Sequence, residues 1–162
     1  MNPFRICLWF DHQAEQAVEF YKSIFQDFEI ENILRFSSEG FEHHGRPEGS
    51  VLTIDFRIQN LYLTALNGGP VFKLSEAASI MIPCETQEEI DYYWEKLTQN
   101  GEEQPCGWLK DQFGVSWQLA PTKLQNYLMD TDYERRKRVE KVMFMMYKID
   151  LQQLENAYFS KD

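Results

Sequence analysis

Few side chains in this sequence can do covalent or metal chemistry. Beyond the carboxylates they are three cysteines, Cys7, Cys84 and Cys106, and three histidines, His12, His43 and His44. A thiol becomes a nucleophile where a cation, a helix start or a base lowers its pKa. Lys110 lies on the turn after Cys106 and Arg5 just before Cys7, which makes Cys106 and Cys7 the candidate catalytic thiols. No histidine is placed as their base, and the plainer alternative is a set of inert thiols buried in apolar strands. His12 falls at a strand-to-helix junction, and His43-His44 stand in a polar loop near Glu42 and Glu48. Adjacent histidines point different ways and lack the spacing of a structural zinc site, so they read as solvated and no metal site is assigned.

The stretch that gathers the most polar and aromatic groups is Cys106 to Pro121, CGWLKDQFGVSWQLAP. Two runs joined by a short connection containing Gly read as a β-hairpin, in which residues two apart share a face. On that reading Cys106 and Trp108 share a face of one arm, and Ser116, Gln118 and Ala120 a face of the other. The face either lines a cavity or belongs to the core.

The elements that carry these groups follow from periodicity. Phe4 to Phe10 has the length and aromatic content of a buried strand; Ala14, Ala17, Val18, Tyr21 and Phe25 then recur at helical spacing behind a cap at Asp11 or His12. A second strand is expected over 29–36, a loop over 37–49, an alternating strand over 50–58, a turn at Gln59-Asn60 and a strand over 61–66. The order is βαβββ. After the turn Asn67-Gly68-Gly69-Pro70 it begins again, with a strand over 78–84 and a cap at Glu85 or Thr86. A helix follows with Ile90, Tyr93, Trp94 and Leu97 on its buried side, stops near Asn100-Gly101, and leads into the hairpin. Laying Ala17 to Tyr21 over Glu89 to Tyr93 also lays Cys7 over Ser79 and Leu8 over Ile80, so the chain reads as paired copies of one unit.

Beyond Pro121 three helical patterns follow: Leu124, Tyr127 and Leu128; Val139, Val142, Met143 and Met146; and Leu151, Leu154 and Tyr158. The expected organisation is one domain over 1–121, with modules at about 1–67 and 76–121, and a helical extension over 122–162 that buries its apolar stripe at a dimer interface.

The 162 residues fit one domain, and 43% hydrophobic with 15% aromatic content leaves aromatics over to line a pocket or an interface. A net charge of -10 opposes nucleic-acid binding, which depends on neutralising phosphates. The run Arg135-Arg136-Lys137-Arg138 lies beside Asp130, Asp132 and Glu134 and reads as a solvated helix face. No apolar run reaches the ~20 residues that span a bilayer. An odd number of cysteines and the lack of an N-terminal apolar targeting segment point to reduced thiols in the cytoplasm.

The words ICLWFDHQAEQAVEFYKSIF, PEGSVLTIDF, ALNGGPVFK and CGWLKDQFGVSWQLAP, with the tail from Arg138 to Tyr158, resemble the PhnB-like family. That family carries the label 3-demethylubiquinone 3-methyltransferase domain and sits in the vicinal oxygen chelate superfamily with glyoxalase I, extradiol dioxygenases and bleomycin resistance proteins. The resemblance implies an α+β fold in which two βαβββ modules form a cupped mixed sheet, followed by a C-terminal helical tail. Superfamily members that catalyse hold one divalent ion with His, Gln or Glu side chains from four strands. The resemblance carries those positions to Arg5, Leu63, Ser79 and Gln118, of which only Gln118 can bind an ion, and weakly, through its amide oxygen. No metal and no cofactor are therefore expected. A methyltransferase that binds S-adenosylmethionine usually has a glycine-rich turn between strand and helix, whereas NGGP at 67–70 ends in proline with no helix pattern after it.

Three functions remain open. The first is a metal-independent binder that holds an apolar or aromatic small molecule between Trp9, Phe72, Trp108 and Met81. Asn67, Ser79, Ser116 and Gln118 supply its hydrogen bonds, and Cys7 and Cys106 border the cup. The second is a lyase or isomerase using a metal or one of those two thiols, or the methyltransferase of the family label. The third is a dimeric interaction protein with a closed pocket. The expected partners are an unidentified small molecule and a second copy of the chain in a homodimer, with no nucleic acid and no membrane. No acidic residue is assigned to the cup.

Overall fold

The computed structural model describes residues 3–160, which divide into two compact units at Leu74/Ser75. The first holds β1 (Ile6–Phe10), α1 (Ala14–Ile24), β2 (Phe28–Arg35), α2 (Phe41–His44), β3 (Val51–Ile58) and β4 (Leu61–Asn67). Its sheet runs β1-β4-β3-β2, with β1 parallel to β4 and the other pairs antiparallel. α1 packs on β3 and β4. It buries Ala14, Ala17, Val18, Tyr21 and Ile24, while Leu8, Phe10, Ile54, Phe56, Leu63 and Ala65 are buried on the alternating strand positions that face it. Tyr21 and Phe28 both stack on Phe56, with centroids 6.3 and 5.4 Å away.

Two local expectations change here. The helix cap is Gln13, with no side-chain bond of its own; the Ala14 N–H donates instead to Asn67 Oδ1 at 2.9 Å, from the end of β4. A strand residue distant in sequence thus supplies what Asp11 and His12 were expected to supply. The loop after β2 also contains the single turn α2, bounded by Gly40 and Gly45 at φ 78° and 63°, left-handed values that glycine adopts without a Cβ penalty.

The second unit holds β5 (Ile80–Cys84), α3 (Gln87–Thr98), a two-residue β6 (Glu102–Glu103), a 3-10 turn (Pro105–Gly107), β7 (Trp108–Lys110) and β8 (Ser116–Pro121). Its order β5-β8-β7-β6, with β5 parallel to β8, repeats the first sheet. The sequence reading missed β6, because two exposed glutamates carry no strand pattern. Thr86 and Glu89 form a reciprocal capping box at the start of α3, as the second cap option required. Ile90, Trp94 and Leu97 are buried while Tyr93 is half-buried.

Asp111 sets the β7–β8 hairpin. Only 3% exposed, it accepts from Phe113 N and Val115 N through Oδ1 at 2.9 and 3.0 Å and from Trp117 Nε1 through Oδ2 at 2.9 Å. One carboxylate therefore fixes the turn and the indole beneath it.

The tail forms α4 (Thr122–Leu128), α5 (Tyr133–Met143) and α6 (Leu151–Phe159), and all three belong to the second unit. It buries Leu124, Val139, Met146, Ile149, Leu151 and Leu154. Cys106 N and Gly107 N donate to the carbonyls of Met146 and Tyr147. Gln87 donates to Ile149 O and accepts from Leu151 N. The basic run is largely engaged within the tail: Arg135 pairs with Asp132, Arg136 lies over the Tyr133 ring and Arg138 donates to Ala157 O. Among the described residues no helix is long and apolar enough to cross a membrane.

Candidate functional site

Each sheet has one face under its helix and one face without it, and strand register determines which residues share the second. In the first unit Cys7 is opposite Thr64, and Thr64 opposite Asp55; Trp9 is opposite Leu66, and Leu66 opposite Thr53. Cys7, Trp9, Thr53, Asp55, Thr64 and Leu66 therefore lie on the face away from α1. The Thr64 hydroxyl donates to Asp55 Oδ1 at 2.6 Å, which fixes the carboxylate in the middle of that face. Trp9 donates to Gly69 O at 2.8 Å and meets Phe72 edge to face, with centroids 4.9 Å apart. A Cβ on Gly68 would overlap the Trp9 indole. The NGGP turn thus seats the Trp9 indole.

Asn67 was expected to orient a ligand but lies on the helix side of β4 and is 7% exposed. Both hydrogens of its amide are engaged, with Glu15 Oε2 at 3.1 Å and Val51 O at 3.0 Å, so it joins elements of the fold instead.

In the second unit Met81, Gln118 and Trp108 form one cross-strand row, and Lys110 is opposite Ser116. Gln118 Nε2 donates to Ser79 Oγ at 2.6 Å. Ser116 is 2% exposed, and its hydroxyl has no hydrogen-bond partner among the described residues. The structure thus brings Ser79, Met81, Trp108, Ser116 and Gln118 next to one another, with Ser116 buried among them. Cys106 does not lie on the same strand arm; it occupies the 3-10 turn before β7 at φ 61°, a left-handed conformation unusual for a side chain other than glycine.

A family model described as 3-demethylubiquinone-9 3-methyltransferase matches residues 2–120. A Bacillus cereus structure described as a putative 3-demethylubiquinone-9 3-methyltransferase, PhnB protein, shares 32% identity, with 75% of this chain and 100% of that one covered and a TM-score of 0.65. The chain belongs to that family. At the level of fold alone, a Pseudomonas aeruginosa protein is similar at 17% identity, covering 75% of this chain and 98% of its own, with a TM-score of 0.59. The fosfomycin resistance protein FosX of Mesorhizobium loti is similar at 13% identity, covering 80% and 98%, with a TM-score of 0.54. No curated protein matches. This PhnB-like chain is therefore an α+β member of the vicinal oxygen chelate superfamily, with two four-stranded mixed sheets and a C-terminal helical segment.

The divalent ion implied by that superfamily does not fit the residues at the corresponding strands. Arg5 forms an ion pair with Glu31 and donates to Leu63 O at 3.4 Å, and it has no lone pair to offer a metal. Leu63 is fully buried on the helix side and has no donor atom, so the metal position that the resemblance carried to it holds no ligand; Tyr62 and Thr64 flank it on the other face. Ser79 and Gln118 bond to each other. Among the described residues no three His, Cys, Asp or Glu side chains come together as a ligand set.

The thiols of the PhnB-like chain lack the expected activators. Lys110, read as the cation near Cys106, pairs with Glu76 and lies 3.9 Å from Glu102. It holds the Glu76 carboxyl down to about 2. Desolvation pushes the Cys7 thiol up, and the nearby Asp55 charge pushes it further. Burial raises Cys84 to about 12, with Glu89 and Glu85 adding to it. Asp55 is the site residue that sequence reasoning missed. Its signal was present, since alternation already separated it from Ile54 and Phe56, but only pairing with Thr64 and Cys7 places it among the candidate residues.

Proposed function

We propose that this PhnB-like protein binds a small molecule on the uncovered faces of its sheets without a divalent ion of the superfamily type. One observation carries the reading: the side chains on those faces that could meet a ligand are fixed by bonds of their own. Trp9 is held by Gly69, Asp55 by Thr64, and Ser79 by Gln118. Aromatic surface with a few fixed polar atoms is the usual make-up of a ligand site.

Methyl transfer is disfavoured by the use of NGGP to seat Trp9, and thiol catalysis by the engagement of Lys110 and the raised Cys7. Cys106 remains the candidate for the enzymatic alternative. Reduced thiols and cytoplasmic residence belong to the proposal, as does a homodimer formed through the exposed Phe144, Met145 and Tyr147 of the tail. Replacing these three by serine should then dissociate the dimer in sedimentation, and an unchanged species would remove that part.

The binding proposal is tested by native mass spectrometry of the full chain as purified, alongside elemental analysis. The expected result is a small organic molecule retained by the wild type and lost from Trp9→Leu or Gln118→Leu, with no stoichiometric divalent ion. One tightly held ion per chain would overturn the metal-free reading. Rapid selective alkylation of Cys106 at neutral pH would favour the thiol enzyme.

A further inference from the structure

We infer that the uncovered face of the first sheet selects an amphiphilic amine, whose ammonium meets Asp55 and whose hydrocarbon part reaches the Trp9–Phe72 corner. The inference rests on the binding proposal above and names the chemistry of its ligand.

The charge balance of the face singles out Asp55. Arg5 is engaged by Glu31 and lies over the Tyr62 ring, 5.4 Å from its centroid. Arg57 is engaged by Asp27 and Glu29, each at 2.9 Å, and by Gln59 O at 3.1 Å. Both guanidinium groups make their ion pairs with other carboxylates, although Arg5 is close enough to feel the Asp55 charge as well. Asp55 receives one neutral hydroxyl at Oδ1, and its Oδ2 has no hydrogen-bond partner among the described residues. It is half-buried between β2 and β4, where a charged donor is worth more than at a fully solvated position. Its field already reaches neighbouring groups, since it helps to raise the Cys7 pKa. The net charge of -10 adds a long-range attraction for cations.

The distance to the aromatic corner sets the shape of the ligand. Asp55 and Trp9 are two strands apart and offset by two residues along the register. Strand spacings of about 4.8 Å and a rise of about 3.4 Å per residue place their Cα atoms roughly 12 Å apart. Leu66 and Thr53 lie between them on the same face, and the indole is anchored at Gly69 and edged by Phe72. A short aryl-alkyl amine matches that sequence of groups: cation, then methylenes, then ring. Hydrogen bonds to charged groups contribute more than neutral ones, so the amine should bind about tenfold more tightly than its neutral isostere.

The test is calorimetric titration of the full chain with 2-phenylethylamine, 2-phenylethanol and 3-phenylpropionate. The expected order is amine over alcohol over carboxylate, with the amine preference shrinking as salt rises. Asp55→Asn keeps an acceptor for Thr64 and should reduce the amine to the affinity of the alcohol without changing the alcohol. Thr64→Val leaves the carboxylate charged but no longer held, and should weaken the amine by less than Asp55→Asn does while keeping its preference over the alcohol. Equal binding of amine and alcohol, or a preference that survives in Asp55→Asn, overturns the inference while leaving the binding proposal in place. If none of the three binds and Trp9→Leu still retains the native small molecule, both fall.

Discussion

In the first unit the helix start takes its cap from Asn67 at the far end of β4, whereas in the second Thr86 and Glu89 close a capping box within α3 itself. The sheets on which these helices pack share one strand order. The same βαβββ plan is thus stabilised non-locally in one copy and locally in the other. The difference extends to the uncovered faces. That of the first sheet carries Asp55 with one oxygen lacking a partner among the described residues, and that of the second pairs Gln118 with Ser79 while leaving the Ser116 hydroxyl without one. The second unit also carries the tail and the carboxylate-anchored hairpin.

Four experiments break or sharpen that contrast. Asp111→Ala should cost most, about 3 kcal/mol in urea unfolding, because it strands buried donors at Val115 and Trp117. A loss below about 1 kcal/mol would mean that the hairpin is held by packing alone. Asn67→Ala should cost about 2 kcal/mol, since it removes the α1 cap together with the bond to Val51 O. Thr86→Ala should cost only about 1 kcal/mol, as a local cap does. If Thr86→Ala proves the more damaging of the two, the distinction between local and non-local capping fails.

The smallest effect concerns acid. Glu76, Asp91, Asp130 and Asp150, all in the second unit, have carboxyls held below the usual range. For Glu76 the first cause is Lys110, and the value falls to about 2 from the ordinary 4.5. A depressed folded pKa contributes stability that is complete above the unfolded value and disappears as pH falls through the folded one. The second unit should therefore lose stability between about pH 4.5 and pH 2, and Glu76→Gln should flatten part of that slope. Hydrogen exchange resolved by unit measures it; equal acid loosening of both units would contradict the assignment.

How much of this was legible in the sequence follows the same division. The α3 cap and the buried Ile90, Trp94 and Leu97 were readable because the signals are neighbours in the chain. The α1 cap was not, because Asn67 reaches Ala14 only after β4 has paired with β1. Alternation gave the faces of β3, whereas the resemblance carried a metal position to Leu63, which lies on the helix side of β4, since a slip of one residue reverses every side chain. The functional weight of Asp55 was hidden for a further reason. A carboxylate becomes notable only once the ion pairs of the nearby cations are known to lie elsewhere, and those pairings are a property of the folded surface.

The 3-10 turn before β7 meets the tail through main-chain atoms, Cys106 N to Met146 O and Gly107 N to Tyr147 O, while from α3 the Gln87 amide and the Asp91–Lys148 ion pair reach the same segment. The main-chain seam is indifferent to which side chain stands at 147, where Tyr147 is exposed, whereas Met146 also fills the core and is not free to change. It is strict at Gly107, where any Cβ would crowd Ile149 and the Leu119 carbonyl. One glycine thereby gives the outward surface of the tail freedom to diverge, and new contacts could arise on that surface while the sheets beneath keep their form.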